Sequence, residues 1–92
     1  MFGMIGKFTT VPGKRDEVMS LISGASASMP GNLVYLIAAD AQDPDVIWIS
    51  ESWESEELHA NSLQIPEVRA AITAAMPMIS GVETIAKTVP LQ

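Results

Sequence analysis

The run LVYLIAA, Leu33 to Ala39, sets the tightest limit on what this chain can fold into. It carries no charge, and a polar turn built around Pro44, DAQDPD (Asp40–Asp45), follows it. Beyond the turn, VIWISESW (Val46–Trp53) starts apolar again. Two such runs across a short polar turn read as an antiparallel hairpin. Successive side chains of a strand point to opposite sides of the sheet. LVYLIAA and VIWI therefore present apolar groups to both sides. An antiparallel sheet with one side in water alternates apolar with polar residues, and this hairpin does not.

The flanking segments supply cover for one side. FGMIGKFTTV (Phe2–Val11) reads as a strand that stops at Pro12-Gly13-Lys14, because proline cannot donate to a ladder and glycine permits an unusual dihedral. A helix follows over about Gly13 to Met29, with Val18, Leu21, Ile22, Ala25 and Met29 as its apolar stripe. Pro30-Gly31 stops it. After the hairpin, Ser55 suits a helix N-cap, with Glu56 and Glu57 complementing the dipole of a short helix that runs to about Leu63. Pro66 opens a further helix at a position where its missing N–H costs nothing. Val68, Ala71, Ile72, Ala75 and Ile79 form that helix's stripe, Pro77 distorts or ends it, and Gly81 closes it. VETIAKTVPL (Val82–Leu91) is the last strand.

The order is β-α-β-β-α-β. That is the ferredoxin-like α+β arrangement, a four-stranded antiparallel sheet with both helices on one face. It spans residues 1–92 as a single domain. The second face of the hairpin is left without a helix, so either another subunit covers it or it is an exposed patch that aggregates. A homodimer with sheets packed face to face is the better explanation. A chain of 92 residues with no cysteine cannot staple a small core with disulfides, which also favours self-association.

Eleven acidic against five basic residues, a net charge of −6, oppose nucleic-acid binding and docking on an anionic membrane. One histidine and no cysteine leave no ligand set for a structural zinc. The uncharged stretch Val18–Ala39 contains four serines, two glycines, Pro30 and Asn32, so it is not a membrane span. MFGMIGKFTT has neither the basic nor the apolar region of a secretory signal, and the expected location is the cytoplasm. No GxGxxG, P-loop, GxSxG or HExxH occurs, so no nucleotide or metal cofactor is implied.

The rare residues gather in ESWESEELHANSLQIPEV, Glu51 to Val68. His59 has the only side chain here whose unperturbed pKa lies near neutrality, which suits a proton acceptor and equally a helix-surface histidine. Trp53 suits a flat wall for an aromatic ligand, or a plug for an aliphatic core. Trp48 falls on the opposite strand face from Trp53. Glu51 shares Trp53's face; a buried carboxylate there is a site acid or base, although a rim ion pair is the commoner outcome. Tyr35 offers a hydrogen-bond donor to a ligand carbonyl. Asn61 and Ser62 follow His59 on the helix, and Met76 and Met78 are adaptable lining or core.

The Pro-Gly-Lys turn in KFTTVPGKRDEVMSLI and the Glu-x-Trp, acidic helix start and proline of ESWESEELHANSLQIPEV resemble the antibiotic biosynthesis monooxygenases, in their cofactor-independent quinol monooxygenase-like branch. The resemblance covers essentially the whole chain. It implies a dimeric α+β barrel that oxidises a quinol-like or polycyclic aromatic with O2, without metal or flavin. The substrate supplies the electrons as an enolate or phenolate, and the protein binds it, deprotonates it and keeps water out. On this reading His59 is catalytic, and Trp53, Tyr35, Ser62 and Met76 bind substrate. Many members of the branch carry histidines where Ser62 and Glu67 stand; here His59 takes a neighbouring position. The haem-degrading relatives use an asparagine on the first strand, and Phe2–Val11 contains none. The alternative is a non-catalytic dimer of the same fold that binds small molecules or serves in stress responses.

Overall fold

Pro12 and Gly13 decide where the first strand stops. Gly13 adopts φ 81°, a left-handed conformation that side chains with a Cβ resist. In the computed structural model, which describes residues 1–91, strand β1 (Phe2–Thr10) ends just before this turn and helix α1 (Arg15–Ala25) begins just after it. Asp16 and Glu17 stand in the first turn of α1, where carboxylates meet the positive end of the helix dipole.

The helix is shorter than its apolar stripe suggests. Its last turn dissolves at Ser26, whose hydroxyl donates to the Ser23 carbonyl at 3.2 Å and so competes with the backbone ladder. Met29 therefore lies beyond α1, in the turn that leads to Gly31. That glycine also has positive φ, 83°. Strands β2 (Asn32–Ala39) and β3 (Val46–Trp53) form the expected hairpin, paired antiparallel from Tyr35 opposite Glu51 to Ala39 opposite Ile47.

Helix α2 (Glu56–Ser62) starts on the Ser55 cap, whose hydroxyl accepts the Leu58 N–H at 3.2 Å. Helix α3 (Pro66–Ala75) begins at Pro66, as its position predicts. Pro77 ends this helix as expected, but Ile79 and Gly81 lie outside it. Pro77 stops the α-helix at Ala75, a single 3₁₀ turn (Met76–Met78) follows, and strand β4 (Ile79–Thr88) starts at once. Ile79 is thus a strand residue, and Gly81 lies within β4 opposite Thr9 rather than closing a helix.

The four strands lie in the order β2-β3-β1-β4, all antiparallel. Val18 of α1, Ile47 and Ile49 of β3 and Ala75 of α3 form one buried cluster, which places both long helices on the same face of the sheet. The architecture is the ferredoxin-like α+β fold. On the other face Val34 and Leu36 are exposed, and Trp48 and Ile5 are half-buried. Among the described residues no helix is long and apolar enough to cross a membrane.

Candidate functional site

Along β3 the helix-side residues are Ile47, Ile49, Glu51 and Trp53. The first two fill the core, so a carboxylate at the third position enters a region already stripped of water. Glu51 keeps only 7% of its side-chain surface. An ionised carboxylate there needs partners, and it has two. The Trp53 indole N–H donates to Oε1 at 2.8 Å, and His59 Nε2 lies 3.4 Å from the same oxygen. Burial pushes the Glu51 carboxyl above its ordinary value, and the Trp53 hydrogen bond and the neighbouring imidazole pull only partly the other way.

His59 reaches this position because α2 is fixed at its start. Gly31 has no Cβ; one there would run into the Leu58 side chain, so glycine lets α2 come close to the start of β2. The Gly31 carbonyl also accepts the Glu54 N–H at 2.9 Å. His59 then packs its ring between two aromatics, edge-on to Trp53 at 5.4 Å between centroids and tilted against Phe2 at 5.5 Å. The Ser62 hydroxyl donates to the His59 carbonyl at 2.6 Å.

These groups form the polar end of an open cavity of about 320 Å³, lined by residues of the sheet and all three helices. Its volume lies at the lower end of the roughly 300–1,000 Å³ typical of small-molecule sites. The remaining surface is almost entirely apolar: Met4 and Phe8 of β1, Ile22 of α1, Val68 and Ile72 of α3, and Val82 of β4. Gly6 of β1 leaves part of the floor bare, with space for a Cβ at ordinary contact distance.

Of the residues picked out in the sequence, His59, Tyr35, Ser62 and Met76 all line this cavity. Tyr35 stands opposite Glu51 in the strand register, and burial together with Glu51's charge pushes its hydroxyl well above the usual phenol range, so it stays a neutral donor. Ser62 is buried, while Met76 is exposed at the mouth. Trp53 lies elsewhere: its ring is fully buried behind the wall and reaches the cavity only through its hydrogen bond to Glu51. Asn61 and Glu67 face solvent. Glu51, for which a rim ion pair is the commoner expectation, is instead buried at the cavity. The available signal was its shared strand face with Ile47, Ile49 and Trp53, all core residues. No three His, Cys, Asp or Glu side chains come together as a metal-ligand set among the described residues.

The family model for antibiotic biosynthesis monooxygenases matches residues 1–74. Among solved structures, an antibiotic biosynthesis monooxygenase homologue from Chloroflexus aurantiacus is 42% identical, with 99% of this chain and 93% of that one covered at a TM-score of 0.94. Homologues from Caulobacter crescentus (19% identity, TM-score 0.87, 99% and 90% covered) and Nitrosomonas europaea (13%, 0.84, 100% of both) share the fold. None of the curated proteins compared matches the chain.

Proposed function

The chain belongs to the antibiotic biosynthesis monooxygenase family, and from that premise we propose that it is a cofactor-independent monooxygenase acting on a quinol-like or polycyclic aromatic molecule. The observation that carries this reading is the acid–base pair Glu51 and His59 at the end of a mostly apolar cavity. An apolar site excludes water and holds a flat aromatic; one proton acceptor inside it converts a phenol or an acidic ring CH2 into an electron-rich anion. That anion then reduces O2. For an anthrone-type substrate the balance is CH2 plus O2 giving C=O plus water, with both electron pairs coming from the substrate.

In this scheme the Glu51–His59 pair takes the proton. Tyr35 donates a hydrogen bond to the substrate's oxygen, Ser62 holds the turn of α2 that carries His59, and Met76 adapts the mouth to the ligand. Trp53 serves as the buried donor that holds Glu51. The open face of the sheet, with Val34, Leu36, Ile5 and Trp48, is the surface on which two copies pair. Light scattering is expected to give a dimer mass at micromolar concentration, and a monomer mass contradicts this pairing.

The catalytic reading is tested by oxygen uptake with a panel of quinols and anthrone-like compounds in metal-free buffer. Wild type consumes O2 with at least one member. Gly6→Val, which fills the cavity floor and leaves the Glu51–His59 pair in place, loses at least about tenfold in kcat/KM. Binding without any O2 consumption across the panel overturns the monooxygenase and leaves the alternative of a non-catalytic small-molecule-binding dimer.

A further inference from the structure

The two members of the acid–base pair are not equivalent. His59 is packed against Phe2 and Trp53, and its Nε2 lies 3.4 Å from Glu51 Oε1. Glu51 is held through one oxygen only. Oε1 takes both the Trp53 N–H and the His59 contact, whereas Oε2 makes no hydrogen bond among the described residues. A general base needs a lone pair free to reach the substrate's proton. The carboxylate has one on Oε2, and the His59 nitrogen nearest to it, Nε2, is directed at Oε1 and holds the carboxylate in place.

We propose that Glu51 is the catalytic base of this site, accepting the substrate proton on Oε2, and that His59 is a positioning residue that fixes and balances the carboxylate. This rests on the reading of the cavity as a deprotonating site. In the step, the substrate's O–H or acidic C–H bond breaks and an O–H bond forms on Glu51. The electron pair stays on the substrate as a phenolate or enolate. No oxidant takes part until that anion exists. The fixed carboxylate also selects the ligand class: it repels a substrate that enters with its own carboxylate or phosphate, so the site takes neutral hydroxyaromatics.

The surroundings support the assignment. The groups facing Glu51 are Tyr35 from β2, Trp53 from its own strand and His59 from α2, while the cavity residues of α1 and α3 carry no charge. At the β4 side Glu83 borders the cavity. Burial raises the Glu51 carboxyl, which makes it a stronger base than a wetted glutamate.

The experiment isolates proton transfer from oxygenation. Under anaerobic conditions in D2O, hydrogen–deuterium exchange at the acidic ring carbon of anthrone is followed by NMR with wild type, Glu51→Gln, Glu51→Asp and His59→Gln. Circular dichroism verifies each fold. Wild type accelerates exchange above the buffer rate. Glu51→Gln loses that acceleration by about 100-fold or more. Glu51→Asp, which keeps the carboxylate but withdraws it, retains part of it, and so tests the assignment even if the glutamine variant fails to fold. His59→Gln keeps more than about a tenth of it and shifts the acid limb of the pH profile. The assignment is overturned if wild type gives no acceleration, if Glu51→Gln keeps more than a tenth, if Glu51→Asp falls to the buffer rate in a folded protein, or if His59→Gln falls as far as Glu51→Gln. Exchange without O2 consumption in air leaves Glu51 in place as base and removes the monooxygenase instead.

Discussion

Trp48 and Trp53 stand on the same strand, and each indole N–H donates to a carboxylate, Trp48 to Asp40 at 2.7 Å and Trp53 to Glu51 at 2.8 Å. The pairs look alike and differ in every consequence. Asp40 sits in the hairpin turn, where its second oxygen accepts the backbone N–H groups of Gln42 and Asp43 at 3.0 and 2.8 Å. These bonds, the Asp43 N–H foremost, bring its carboxyl down to about 2. Glu51 lies under α2 with one oxygen engaged, and burial raises it. One carboxylate is saturated and serves the turn. The other is desolvated with a lone pair to spare, and only that one is equipped for chemistry.

The contrast breaks most visibly in stability. Trp53 is fully buried, so Trp53→Ala is expected to cost about 3–5 kcal/mol in denaturant unfolding, as for other large buried aromatics. Trp48→Ala on the half-buried face costs less than half as much; equal losses erase the distinction. Next comes activity. Glu51→Gln lowers kcat for a competent quinol by about 100-fold, whereas Asp40→Asn stays within about twofold. A large loss in Asp40→Asn links the turn to the site and removes the contrast.

Carbon-13 NMR of the two carboxyl groups sharpens it further. Asp40 is expected to titrate near its lowered value of about 2, against an ordinary 3.8, and Glu51 above its ordinary 4.5. The signs for stability are opposite. Asp40's hydrogen bonds contribute fully above pH 3.8, and the contribution is lost as pH falls through about 2. Glu51's burial cost is absent below pH 4.5 and grows as pH rises through its elevated folded value. Coinciding midpoints contradict the account. The smallest effect is at Lys7, whose ammonium lies 5.7 Å over the Trp48 ring. Lys7→Ala is expected to cost no more than about 0.5–1 kcal/mol and to raise Asp40's midpoint slightly, since Lys7 is the weakest of the influences lowering it.

The same contrast explains what could be read from the chain alone. Element order was legible because its signals are local: the Pro-Gly turn at Pro12, the Ser55 cap, Pro66, and the doubly apolar hairpin. The end of α1 and the start of β4 were not. Ser26 turned its hydroxyl to the backbone, and Ile79 fits both a helical stripe and a strand. His59, Tyr35, Ser62 and Met76 were found as candidates and meet in one cavity. Trp53 could be placed on Glu51's face by parity, but not behind the wall. Glu51's burial depends on α2 folding His59 over it, which depends in turn on the missing Cβ of Gly31. That chain of packing joins residues far apart in sequence: strand parity puts Glu51 on the core face, but nothing in ESWESEEL shows that it is covered.

The most direct measurement is a crystal structure of the protein with a hydroxyaromatic that resists oxidation bound. The account predicts the ring inside the cavity above Gly6, with its hydroxyl oxygen about 2.5–3.0 Å from Glu51 Oε2. A ligand seated on the open face of the sheet, or held in the cavity with its hydroxyl turned away from Glu51, contradicts it.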